Sequence, residues 1–76
     1  MFEGTIVWFD PKKGYGFIDW DKKGYGFEDD GKDLFLHFSD LAMEGFKTVK
    51  KGQRVRFSLG ENNRGQPKAT EVVLVD

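Results

Sequence analysis

Seventy-six residues with no cysteine and a single histidine exclude a disulfide-stapled scaffold and the usual zinc ligand sets, and leave room for one small domain. Twelve basic and thirteen acidic residues give a net charge of -1, so charge alone does not point to a phosphate-gripping surface. The excess lies in the aromatics: eight phenylalanines, two tryptophans and two tyrosines, several beside glycine and charged residues where a core cannot easily absorb them.

No segment sustains a 3.6-residue apolar period, and glycines, prolines and acidic clusters cut the chain into short runs that predict strands. Phe2 to Phe9 is the first, rich in β-formers from Thr5 to Trp8 and closed by the turn residues Asp10-Pro11-Lys12-Lys13-Gly14. Tyr15 to Trp20 is the second and Asp33 to Phe38 the third. Ser39-Asp40-Leu41 is expected to form one helical turn capped by Ser39. A loop through Met43-Glu44-Gly45-Phe46-Lys47 leads to a fourth strand, Gln53 to Leu59. Asn62-Asn63-Arg64-Gly65 then turns the chain into a last strand from about Lys68 to Val75. Five short strands with one long central connection predict an all-β, five-stranded antiparallel barrel, which closes its own edges. The opening Met1-Phe2-Glu3-Gly4 has no basic segment leading into an apolar run, and no stretch approaches the roughly 20 apolar residues that span a bilayer. A cytoplasmic location is the expectation.

Successive strand residues face opposite sides of a sheet. Leu34 and Leu36 share the interior face of the third strand, which turns Phe35 and His37 outward. Ile18 marks the interior face of the second, shared with Gly16 and Trp20, so Tyr15 and Phe17 also point outward. Trp8 and Phe9 are consecutive and cannot both face outward without a bulge or a strand end.

Lys13-Gly14-Tyr15-Gly16-Phe17-Ile18 and Leu34-Phe35-Leu36-His37-Phe38 make the chain resemble the cold-shock domain family, whose two ribonucleoprotein motifs these look like. Gly4-Thr5 to Trp8-Phe9, Glu44-Gly45-Phe46-Lys47 and Asn63-Arg64-Gly65 extend the likeness over nearly the whole chain. The resemblance implies an OB-fold barrel without catalysis or cofactor. Its partners would be single-stranded RNA and DNA, bound as an RNA chaperone or transcription antiterminator. By matching position, it implies base stacking by Trp8, Phe9, Tyr15, Phe17, Phe35, His37, Phe38 and Phe46, with Lys13 and Arg64 holding the strand. Stacking on an aromatic ring is worth about 1–3 kcal/mol per base, so three or four bases give useful affinity without a basic surface. Val7 stands where the family often has lysine and Asp10 where it often has asparagine, which predicts weaker backbone contacts.

Lys12-Lys13-Gly14-Tyr15-Gly16-Phe17 recurs as Lys22-Lys23-Gly24-Tyr25-Gly26-Phe27. Removing Lys22 to Asp29 restores the family's usual spacing between its motifs, so residues 22–29 read as an insertion in the hairpin between strands two and three. Both copies have the same parity, but Ile18 follows the first on the inward face and Glu28 follows the second. Burying Ile18 gains roughly 1.5–3 kcal/mol, while burying an unpaired Glu28 costs several. The first copy is therefore expected in the barrel, and the second in a lengthened, mobile loop where Lys23, Tyr25 and Phe27 form a possible second stacking patch.

His37 lacks the companions of a metal ligand or general base. Glu28-Asp29-Asp30-Gly31-Lys32-Asp33 lacks calcium-site spacing and reads as a turn. An OB scaffold whose aromatic face meets a protein, or whose inserted loop blocks the original site, is the alternative. A monomer is expected, with strand exchange through the long hairpin as the route to a dimer.

Overall fold

The computed structural model describes residues 1–42 and 48–75. Five strands close into a barrel: β1 (Phe2–Asp10), β2 (Tyr15–Trp20), β3 (Leu34–His37), β4 (Arg54–Glu61) and β5 (Pro67–Leu74), in the spatial order β1-β2-β3-β5-β4. The expected strands differ from these by at most two residues at any end. Four of the five junctions are antiparallel, but β3 meets β5 in parallel at Phe35 and Lys68, which corrects the wholly antiparallel expectation. The long connection after β3 allows this closure, because a parallel pair needs a crossover rather than a hairpin.

The interior is filled by apolar residues from every strand, among them Ile6, Ile18, Leu34, Leu36, Val55, Phe57, Ala69 and Val72, with Leu41 and Val49 from the connection. Among the described residues no polar or charged residue is buried. Ile18 pairs with Leu34 and Phe17 with Phe35, so the first Lys-Lys-Gly-Tyr-Gly-Phe run supplies the strand, as the Ile18 argument requires. Ile18 has no exposed surface, whereas Glu28 is exposed. The register between β1 and β2 slips between Ile6 and Trp8. This bulge leaves Ile6 inside and brings Trp8 to the outer face, 40% exposed, with Phe9 half-buried against the core.

A 3-10 turn, η2 (Phe38–Asp40), follows β3 one residue earlier than expected, and its cap is His37, not Ser39. His37 is extended, and its Nδ1 accepts the Ser39 backbone N–H at 3.2 Å while lying 2.9 Å from the Ser39 hydroxyl. The ring thus takes the capping role that the serine hydroxyl was expected to fill.

The β2–β3 connection, expected as a lengthened loop, carries local structure of its own. It forms a 3-10 turn, η1 (Lys23–Tyr25), whose Gly24 N–H donates to Asp21 Oδ1 at 3.0 Å. The Lys22 ammonium, with only 13% of its side chain exposed, donates to the Lys32 carbonyl at 2.6 Å and to the Asp30 carboxylate. One cation thereby ties the two ends of the loop together. That bond holds the Asp30 carboxyl below the usual carboxylate range, chiefly through its hydrogen bond to Lys22. A depressed folded-state pKa means that the tie is fully present above the ordinary carboxylate value, about 3.9, and is lost as pH falls through Asp30's lowered value. Acidification below about pH 4 should therefore loosen residues 22–32 before the barrel unfolds. Amide exchange should show their protection falling first, and Lys22→Met should remove that pH dependence.

Candidate functional site

The outer face of β1, β2 and β3 is a continuous sheet of rings. Phe17 lies across from Phe35 and Tyr15 from His37, while Trp8 of β1 lies across from Phe17. Ring centroids are 5.5 Å apart for Trp8–Phe17, 5.7 Å for Trp8–Tyr15, 5.9 Å for Tyr15–Phe35 and 6.0 Å for Phe17–Phe35. Phe35 continues to His37 at 6.5 Å, and His37 to Phe38 at 4.7 Å. Six of the expected residues are thus brought together on one surface. The alternation that buries Ile18, Leu34 and Leu36 behind them also turns Tyr15, Phe17, Phe35 and His37 outward, while the β1 bulge brings Trp8, and the start of η2 brings Phe38, to the same surface.

Two glycines set the height of this surface. A side chain at Gly16 would collide with the Trp8 carbonyl oxygen and come within 2.7 Å of Phe9 Cα, so its absence lets β2 press close against β1 beneath Trp8. Gly14 has φ +78°, and a Cβ there would lie 2.8 Å from the Phe38 ring. Gly14 O accepts the Phe38 N–H at 2.8 Å, which joins the β1–β2 turn to the start of η2. Lys13, next to Gly14, is exposed beside the Phe38 end of the platform. The Asp10 carboxylate fixes its turn by accepting the N–H groups of Lys12 at 2.9 Å and Lys13 at 3.3 Å.

The remaining expected residues lie apart. Phe9 packs partly against the core, and among the described residues no ring pairing ties it to the platform. Arg64 is exposed on the β4–β5 turn, where its N–H donates to Asn62 Oδ1 at 2.9 Å. Phe46 lies outside the described residues. Lys23, Tyr25 and Phe27 belong to the β2–β3 connection. Tyr25 and Phe27, each 43% exposed, form a second aromatic cluster with Phe2 and Trp20, at centroid distances of 4.9 Å for Phe2–Tyr25 and 5.5 Å for Trp20–Phe27. Glu3 N–H donates to the Tyr25 hydroxyl at 3.3 Å and adds a polar tie to the barrel.

Sequence reasoning missed two features. Lys68 sits across from Phe35 on β5, facing out because its neighbour Ala69 is buried, and its ammonium pairs with Asp40 at 3.1 Å. Parity about Ala69 gives its direction, but the β3–β5 crossing that brings it to Phe35 is a tertiary event. Trp20, assigned only to the interior set, is the floor on which the second cluster rests. Among the described residues no group of His, Cys, Asp or Glu is arranged to hold a metal ion, and no helix is long and apolar enough to cross a membrane.

Residues 2–75 match the family described as the 'Cold-shock' DNA-binding domain. The chain is 48% identical over 71 residues to a cold shock-like protein of Aquifex aeolicus, covering 93% of this chain and 90% of that one. It is 47% identical over 73 residues to a cold shock-like protein of Thermotoga maritima, and 42% identical over 73 to the cold shock protein CspB of Bacillus caldolyticus. Each of these two alignments covers 96% of this chain and 97% of the relative.

Proposed function

Because the chain belongs to the cold-shock DNA-binding domain family and displays six rings on one sheet face, we propose that it binds single-stranded nucleic acid by stacking bases on Trp8, Tyr15, Phe17, Phe35, His37 and Phe38. The observation that carries this reading is the unbroken chain of ring neighbours from Trp8 to Phe38 on the solvent side of an apolar core. Unpaired bases present flat faces to such a surface, whereas a duplex hides them in its own stack. On this reading Lys13, exposed on the β1–β2 turn, and Arg64, exposed on the β4–β5 turn, contact the strand's backbone, and Phe9 offers its half-buried ring as a further stacking surface. Phe46 is assigned to the site by its family position alone.

On this reading the protein acts on RNA and DNA in the cytoplasm as a monomeric chaperone or antiterminator, without catalysis. Residues 22–29 are an insertion into a single cold-shock-type domain, carrying the second copy of the Lys-Lys-Gly-Tyr-Gly-Phe segment. Lys23, Tyr25 and Phe27 then extend the stacking surface for longer strands. Tyr25→Ala with Phe27→Ala should weaken a long oligonucleotide while leaving unchanged one short enough to cover only the platform.

The direct test uses Trp20→Phe, which leaves Trp8 as the only tryptophan. A short oligopyrimidine should quench its fluorescence, with a shallow salt dependence because few phosphates are neutralised. Unaltered fluorescence together with no binding by an independent method would refute the reading and favour a protein-binding face.

Lys68 yields a second expectation. Lys68 lies across from Phe35 and its ammonium is held by Asp40, so Asp40→Asn should release it to a phosphate. Affinity at low salt should rise, and the slope of log affinity against log salt should steepen by about 0.7, the single-strand value for one added phosphate contact. An unchanged slope would show that Lys68 stays out of reach.

A further inference from the structure

The cap of η2 fixes more than the turn. A backbone N–H can only donate, so the bond from the Ser39 N–H to His37 Nδ1 at 3.2 Å requires that nitrogen to be bare and places the neutral ring's proton on Nε2. The Ser39 hydroxyl lies 2.9 Å from the same nitrogen and differs in kind, because it can rotate to donate to a bare Nδ1 or to accept from a protonated one. The position of the ring is what the platform draws from His37, which stacks on Phe35 at an interplanar angle of 30° and lies 4.7 Å from Phe38 between centroids.

We propose that Ser39 is a positioning residue for strand binding: its hydroxyl reverses its hydrogen bond when His37 gains a proton and so keeps the imidazole on the platform in both charge states. The inference rests on the platform's binding single strands. Around the neutral ring both Ser39 groups donate to Nδ1, and the backbone N–H alone can hold it. In the imidazolium the Nδ1 proton meets that N–H donor to donor, and only the hydroxyl oxygen offers an acceptor. Without the hydroxyl the charged ring turns off Phe35 and Phe38, and the surface for one base is lost with it. The groups around the ring that carry or can carry charge are Tyr15 of β2, across from it in register, Asp40 of η2 with its Lys68 partner on β5, and Lys13 on the β1–β2 turn. Among these side-chain types and imidazole, only imidazole ordinarily changes charge between about pH 5 and 8, and His37 is the chain's single histidine.

The test compares the parent, Ser39→Ala and Ser39→Thr in binding a short oligothymidine, whose bases take up no proton in this range, at about pH 8 and about pH 5.5. At the higher pH the three should agree within about threefold, less than one base stack is worth, because the backbone N–H still holds Nδ1 in the alanine variant. At the lower pH the parent and the threonine variant should keep their affinity, and Ser39→Ala should lose about fivefold or more, the worth of one stacked base. In the free protein, NMR of the imidazole nitrogens reads the same event without any oligonucleotide. The Nδ1 proton should be observable at the lower pH in the parent and in Ser39→Thr, and lost to exchange with solvent in Ser39→Ala. Identical pH profiles in all three, or a loss in Ser39→Ala that is equal at both pH values, would overturn the positioning role and leave the platform standing. A parent that binds at neither pH, with its Nδ1 proton behaving as expected, would overturn the platform reading on which the proposal stands.

Discussion

Alanine at both Phe17 and Phe35 should weaken binding of a short oligopyrimidine by about 30-fold or more, the loss expected when two stacking rings worth roughly 1–3 kcal/mol each are removed. The two rings are cross-strand neighbours with centroids 6.0 Å apart, and they occupy the middle of the platform between Trp8 and His37. Their removal therefore separates the remaining rings into two groups. Rings in contact do not contribute independently, so the double variant should depart from the sum of the single ones. Isothermal titration on all three variants measures both quantities. Stability should change little by comparison, since both side chains are half-exposed and the core behind them is intact. If the double variant binds within about threefold of the parent, less than one base stack is worth, the platform is not where bases sit.

Phe57→Ala should cost about 3–5 kcal/mol of folding stability, the range for a fully buried aromatic replaced by alanine. A domain of this size has on the order of 5–10 kcal/mol in total, so the variant should be at the edge of folding at room temperature. Phe57 has no exposed surface and pairs with Phe2 across β1 and β4, with its ring 6.0 Å from Phe2 and 5.6 Å from Trp20. It is the point where the barrel core meets the second aromatic cluster. A cavity there removes support from the floor on which Tyr25 and Phe27 lie, so the β2–β3 connection should lose protection as well. Urea melts should show a lower midpoint at unchanged slope, and Tm should fall by at least about 12 °C. A loss under about 1 kcal/mol would mean that neighbouring side chains collapse into the space.

The sequence by itself determined the barrel's strands and the direction of its rings. Period-two alternation around Ile18, Leu34 and Leu36 requires Tyr15, Phe17, Phe35 and His37 on the opposite face, and no long-range information is needed for that. It also chose between the two identical runs, because burial distinguishes Ile18 from Glu28 more sharply than any local propensity does. Three things were decided only by tertiary structure. The bulge that exposes Trp8 and half-buries Phe9 follows from pairing β1 with β2 at a closeness that Gly16 allows. Lys68 reaches Phe35 because the barrel closes in parallel through residues far apart in the chain. The second run became a docked cluster because Phe2 and Trp20, on different strands, converge at one end of the barrel and give Tyr25 and Phe27 an apolar floor. Alternation is a local property of the backbone, whereas closure and docking depend on which distant surfaces meet.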